Sequence, residues 1–107
     1  MSDEIKELTQ IDRLIHEPAR LAIMAVLSAC QSADFKYLLN ATGLTKGNLS
    51  AQLSKLEEGG YVTIRKGFKG KYTHTECMLT KEGRRMFKSY LEQYEALVQR
   101  LNGESAE

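Results

Sequence analysis

Between Thr45 and Gly60 three large apolar residues, Leu49, Leu53 and Leu56, recur at i, i+4 and i+7. That spacing puts them on one narrow stripe of a helix. Thr45 is suited to cap the helix, because its hydroxyl accepts from an orphan N–H of the first turn. Gly59 and Gly60 are suited to end it. The rest of the cylinder carries Lys46, Gly47, Asn48, Ser50, Ala51, Ser54 and Lys55, all small, polar or basic. A face of this kind approaches another polymer closely. Its donors and acceptors match phosphates and base edges in a DNA major groove. An ordinary amphipathic helix with a solvated face has the same pattern, so the flanking chain has to decide.

Upstream, Ile5, Leu8, Ile11, Leu14 and Ile15 have helical spacing, which predicts a helix over 5–15. Pro18 fits the first turn of a second helix, over 18–29, whose Leu21, Ile23, Met24, Val26 and Leu27 make it a core element. His16 lies at the boundary between the two. Asp34 caps a short helix carrying Phe35, Leu38 and Leu39, which stops near Gly43. Leu44 then tucks between this helix and the one opened by Thr45. A short helix, a glycine turn and a capped second helix form a helix-turn-helix over about 34–58.

After Gly60 the period changes to two. Val62 and Ile64 alternate with Thr63 and Arg65, predicting a strand over 61–65. Lys66-Gly67-Phe68-Lys69-Gly70-Lys71 reads as a basic turn, and Tyr72–Leu79 as a second strand, giving a hairpin over about 61–79. Thr80 caps a last long helix, about 81–102, and 103–107 reads as a frayed tail. No repeat or linker divides the chain, so 1–107 reads as one domain.

Charge sharpens this picture. The whole chain is nearly neutral at +1, yet residues 36–88 hold eleven basic and four acidic side chains. Residues 1–35 hold three basic and six acidic, and 89–107 one and four. The positive middle third coincides with the capped helix and the hairpin, which points to a polyanionic partner for that part alone. No apolar run is long enough to span a membrane. The acidic start, Met1-Ser2-Asp3-Glu4, has no signal-peptide character. Cys30 and Cys77, without CxxC spacing, read as reduced thiols of a cytoplasmic protein. Cys30 reads as packing, with a redox sensor as the alternative. His74 and Cys77, three apart in a strand, face opposite ways and cannot share a metal. No nucleophile set, carboxylate pair or phosphate-cradling glycine loop marks an enzyme, and no cofactor is expected.

The stretch Leu49-Ser50-Ala51-Gln52-Leu53-Ser54-Lys55-Leu56-Glu57-Glu58-Gly59-Gly60-Tyr61-Val62 resembles the recognition helix and first wing strand of MarR/ArsR-type transcriptional regulators. Leu79-Thr80-Lys81-Glu82-Gly83-Arg84 resembles the start of their last helix, and the basic hairpin looks like the wing of their short, single-domain subset. The resemblance runs from about Pro18 to about Tyr90. It implies an α+β, mostly helical, winged helix-turn-helix with a β-hairpin wing and long N- and C-terminal dimerisation helices.

It further implies a sequence-specific regulator that binds double-stranded DNA. Asn48, Ser50 and Gln52 would read bases, Gln52 being carried over from the family pattern rather than from the helical wheel. Lys46 and Lys55, and more weakly Lys36 and Tyr37, would hold phosphates. Thr45, Gly47 and Ser54 complete the helix's share of the contact, and Lys66, Lys69, Lys71 and His74 the wing's. Thr73 and His74 stand where the family pattern leads one to expect proline and a basic residue, so Lys69 and Lys71 are left as the permanent wing charges.

Phe87, Tyr90, Leu91, Tyr94, Leu97, Val98 and Leu101 form a seam on the last helix wide enough for a partner helix. With Ile5, Leu8 and Ile11 they predict a homodimer on an inverted-repeat operator. The alternative is a winged-helix module that binds protein, whose recognition helix would carry an acidic or apolar outer face. No residue set identifies a small-molecule effector.

Overall fold

In the computed structural model, which describes residue 6 and residues 8–103, the four α-helices between Pro18 and Leu101 each open on a side chain that satisfies a first orphan amide. Helix α1 (Pro18–Ser28) has proline in its first turn, and the Arg20 amide donates to Glu17 Oε1 at 2.9 Å. Helix α2 (Phe35–Thr42) is capped by Asp34, which accepts from the Tyr37 amide at 2.7 Å. Helix α3 (Lys46–Glu58) is capped by Thr45, whose hydroxyl accepts from the Asn48 amide at 3.1 Å. Helix α4 (Lys81–Leu101) is capped by Thr80, which accepts from the Gly83 amide at 2.9 Å.

The end of α3 is equally local in origin. The Gly60 amide donates to Glu57 O at 3.0 Å and the Tyr61 amide to Leu56 O at 2.9 Å. This paired closure needs a left-handed residue, and Gly60 supplies it at φ 84°. The chain then leaves directly into the sheet.

Three antiparallel strands lie in the order β1-β3-β2, where β1 is Ala33–Asp34, β2 Val62–Lys69 and β3 Tyr72–Leu79. The β2–β3 ladder runs from Val62 opposite Leu79 to Lys69 opposite Tyr72, so only Gly70 and Lys71 make the turn. Its root is buried through Val62, Cys77 and Leu79, and it is exposed outward from Arg65 on β2 and at Tyr72 and Thr73 on β3. The core joins Ile15, Ile23, Met24, Leu27, Leu38, Leu49, Leu56 and Cys77, all fully buried. The three leucines of α3 face inward as their spacing requires, and Leu44 packs against the same core.

The start of α4 is fixed to the root of the wing. The Thr80 amide donates to Tyr61 O at 3.0 Å and the Thr80 hydroxyl to Gly60 O at 2.7 Å. Gly83 lies so close that a Cβ there would land on the Tyr61 carbonyl oxygen. From this joint α4 extends 21 residues, about 31 Å at 1.5 Å per residue. The molecule is accordingly elongated, 60 × 23 × 22 Å.

Two expectations are corrected, and one element is new. The helix expected over 5–15 is not continuous: Leu8–Gln10 form one 3₁₀ turn, and 11–17 is not helical. The reason is Asp12, whose Oδ1 accepts from the amides of Leu14 at 2.9 Å and Ile15 at 3.1 Å and closes a tight turn instead. Ile11 and Ile15 reach the core from that turn. The first wing strand runs on to Lys69, because cross-strand pairing holds it where burial no longer does. Strand β1 was not foreseen; it is two residues long and pairs Ala33 with Cys77. Ile5, the side chain of Leu8 and residues 104–107 lie outside the described residues.

Candidate nucleic-acid interface

With Leu49, Leu53 and Leu56 in the core, the outer surface of α3 carries Lys46, Gly47, Asn48, Ser50, Ser54 and Lys55, all exposed. Thr45 is also exposed, but its hydroxyl is engaged with the Asn48 amide. Lys36 is exposed on α2, and Lys66, Lys69 and Lys71 are exposed along the wing.

Gln52 is placed differently. It is half-buried, accepts from Arg20 Nη1 at 2.7 Å, and donates through Nε2 to Asn48 Oδ1 at 2.9 Å. It faces α1 as well as solvent. His74 is half-buried too, with Nε2 3.8 Å from Glu76 Oε2.

A groove separates α2 and α3 from the wing. It consists of two adjoining clefts of about 540 and 550 Å³ that share Phe35 and Thr75. The first runs along Ser50, Ser54 and Glu57 of α3 and faces Ile64 and Lys66 of β2. The second lies between Lys36 and Asn40 of α2, Lys46 of α3, and Thr73 and His74 of β3. The structure therefore gathers Lys36, Lys46, Ser50, Ser54, Lys66 and His74, drawn from four elements, around one open channel. Hydroxyls and ammonium groups of this kind hold phosphates and base edges. Lys69 and Lys71 stand farther out, at the wing tip.

Two features escaped the sequence reading. Arg20 looks like an ordinary surface charge of a core helix, yet its side chain is only 13% exposed and reaches α3. Phe68 and Tyr72, 77% and 79% exposed, stand among the wing lysines. An aromatic interleaved with lysines in a predicted hairpin tip is a legible signal for the second; nothing local signals the first.

The predicted seam on α4 divides in two. Phe87 and Tyr90 belong to the chain's own core, as does Ile11, and Leu97 is buried as well. Leu91, Tyr94, Val98 and Leu101 remain exposed, at i, i+3, i+7 and i+10 along one side. Tyr90 meets His16, whose Nδ1 lies 2.8 Å from the phenol oxygen. Burial, then the neighbouring Tyr94 and Asp12, hold the Tyr90 hydroxyl above its ordinary pKa. Among the described residues no group of three metal-ligating side chains comes together. No described helix is long and apolar enough to cross a membrane.

Residues 19–98 match the model of a family described as a winged helix DNA-binding domain. The chain is 35% identical over 85 residues to an uncharacterised protein of Methanocaldococcus jannaschii, covering 79% of this chain and 90% of that one. A transcriptional regulator homologue from Pyrococcus horikoshii superposes with a TM-score of 0.84 at 28% identity, over 94% of this chain and 98% of the other. A MarR-family regulator from Silicibacter pomeroyi shares the fold, with a TM-score of 0.65 at 23% identity, over 92% of this chain and 64% of its own.

Proposed function

The chain belongs to the winged helix DNA-binding domain family, and on that premise we propose that it is a sequence-specific transcriptional regulator acting as a homodimer. The observation that carries this reading is the outer face of α3. It is exposed over its N-terminal turns, uncharged or basic until Glu57, and flanked across an open groove by Lys36, Lys66 and His74. A duplex laid against it would receive α3 in the major groove, N-terminal half leading, with the wing lysines against the adjacent backbone. In this reading Asn48 and Ser50, exposed on α3, would reach bases, and Lys46 and Lys55 phosphates. The similarity to the Pyrococcus horikoshii regulator homologue over nearly the whole of both chains supports the assignment.

The homodimer is supported by the exposed Leu91, Tyr94, Val98 and Leu101 on a helix that extends beyond the body of the domain. A two-fold pair presents two copies of α3, so the operator would be an inverted repeat with half-sites about 10 bp apart or a multiple of that. The protein would act wherever the genome lies, inside the cell.

A salt-titrated gel shift with a random-sequence duplex pool tests the reading. Enrichment of a palindromic site, with affinity falling steeply as salt rises, is expected. No binding to any duplex at low salt, or an affinity indifferent to salt, would overturn it.

A further inference from the structure

Arg20, Gln52 and Asn48 form one continuous hydrogen-bonded chain from the core side of α1 to the outer face of α3. Arg20 is held from three sides. Its Nε donates to Leu14 O at 2.5 Å, its Nη2 to Arg13 O at 3.4 Å, and its Nη1 lies 3.9 Å from Glu17 Oε1. The same Nη1 donates to Gln52 Oε1 at 2.7 Å, and Gln52 Nε2 donates to Asn48 Oδ1 at 2.9 Å.

The direction of this chain is fixed by its first member. A guanidinium has only donors and stays charged at any pH a protein survives. Gln52 must therefore turn its carbonyl toward Arg20, which leaves its amide NH₂ facing the other way. That NH₂ needs an acceptor and finds Asn48 Oδ1. The Asn48 carbonyl is thereby tied back along the helix, and its Nδ2 takes no partner among the described residues on an exposed surface. An isolated asparagine amide would present either end with equal ease; here an arginine two residues removed in the relay selects the end.

We propose that Gln52 is a positioning residue rather than a base reader, and that the Arg20–Gln52–Asn48 relay sets the Asn48 amide with its donor outward. Asn48 then selects, at the base pair it meets, an edge bearing acceptors. Guanine, with N7 and O6, fits best; cytosine, with only its N4 amino group in the major groove, fits worst. The inference rests on the DNA-reading function proposed above and adds which group reads and what chemistry it reads.

The Gln52→Glu variant tests it. Glutamate keeps an acceptor for Arg20 but has no donor for Asn48, so the Asn48 amide turns to offer Nδ2 to the carboxylate and Oδ1 to the DNA. Sites are selected from a random duplex pool by the full-length wild type and by Asn48→Ala, and the position whose preference is lost in Asn48→Ala is the Asn48 pair. At that pair the wild type is expected to favour guanine over cytosine by about two- to tenfold, the range of one net hydrogen bond. Gln52→Glu is expected to reverse the preference toward an amino-bearing base. Gln52→Met, of similar length and without added charge, is expected to flatten it, and keeps the test alive if the glutamate variant does not fold. A wild type that enriches no sequence overturns the DNA-reading function and this assignment together. A wild type that enriches a site, while the Gln52 variants lose affinity uniformly and keep the parental preference at the Asn48 pair, overturns the relay alone.

Discussion

The hydroxyl of Tyr61 donates to Asp12 Oδ2 at 2.5 Å, joining residues 49 apart in sequence. The other carboxylate oxygen of Asp12 accepts the amides of Leu14 and Ile15. One side chain thus shapes the turn before α1 and pins it beneath the root of the wing. Burial first, and then the Asp12 carboxylate, hold the Tyr61 hydroxyl well above its ordinary pKa.

Removing either partner has unequal effects. Tyr61→Phe deletes one hydrogen bond to a charged group and is expected to cost about 1–3 kcal/mol of unfolding free energy. Asp12→Ala deletes that bond and also leaves two backbone amides without an acceptor, so it should cost more. Urea denaturation of the two variants decides the order; equal losses would show that the turn finds other acceptors.

Gly83→Ala sets two effects against each other. In an ordinary helix the change is favourable by up to about 1 kcal/mol. At Gly83 the added methyl group meets the Tyr61 carbonyl oxygen, part of a backbone that is itself fixed by the Thr80 amide. Overpacking of this kind typically costs about 1–3 kcal/mol, so a net loss of stability is expected in thermal or urea unfolding. A stabilised variant would mean that α4 shifts at little cost.

Alkaline pH acts through Cys77. Burial, followed by Glu57, Glu76 and Asp34, pushes its thiol from 9.0 up to about 11. The unfolded thiol ionises first, so the contribution of Cys77 is complete below about pH 9. It is lost as pH climbs toward 11, with a magnitude on the order of 2 kcal/mol. Unfolding measured between pH 8 and 11 should therefore fall more steeply in the wild type than in Cys77→Ala. At pH 8 a thiol reagent should modify Cys30, which is partly exposed, and spare Cys77 until the protein unfolds.

Wing lysines should act on affinity without acting on sequence. Lys69→Ala and Lys71→Ala are each expected to lower the slope of log affinity against log salt by about one contact, roughly 0.9. They should weaken all duplexes alike. A change in base preference from either variant would assign the wing a reading function instead.

The dimer is tested at residues that the domain does not itself bury. Leu97 is buried within the chain, so its substitution would confound folding with association. Val98→Glu with Leu101→Glu places charge on the exposed side of α4 instead. Sedimentation should show a folded monomer. Operator affinity should drop by about 10²-fold or more, through loss of the second half-site's effective concentration. A double variant that remains dimeric, or a monomer with parental affinity, would exclude this interface.

What the sequence makes legible follows the range of the forces involved. Thr45, Thr80 and Asp34 accept amides within one turn and Pro18 fixes the backbone of its own, so the starts of α1 to α4 are readable from them. The leucine stripe of α3 is readable for the same reason, and with it the exposed set Lys46, Asn48, Ser50 and Lys55. Residues 5–15 mislead because Ile11 and Ile15 satisfy a helical period and a tight turn equally well. What chooses the turn is Asp12, itself tied to a tyrosine 49 residues away. The engagement of Gln52 is hidden in the same manner, since its partner Arg20 is 32 residues upstream. The outer wing strand has no burial pattern to read beyond Ile64 and exists because β3 pairs with it.

The joint at Gly60, Tyr61, Thr80 and Gly83 has a mechanical consequence. The same few peptide groups terminate α3, root the wing and seat the first turn of α4, with no compliant linker among them. In the DNA-binding dimer proposed above, a tilt of α4 at this joint would carry the end of α3 and the root of the wing with it, as a shaft turns the rudder keyed to it. In that proposed dimer, a change in the splay of the two α4 helices would change the distance between the two copies of α3.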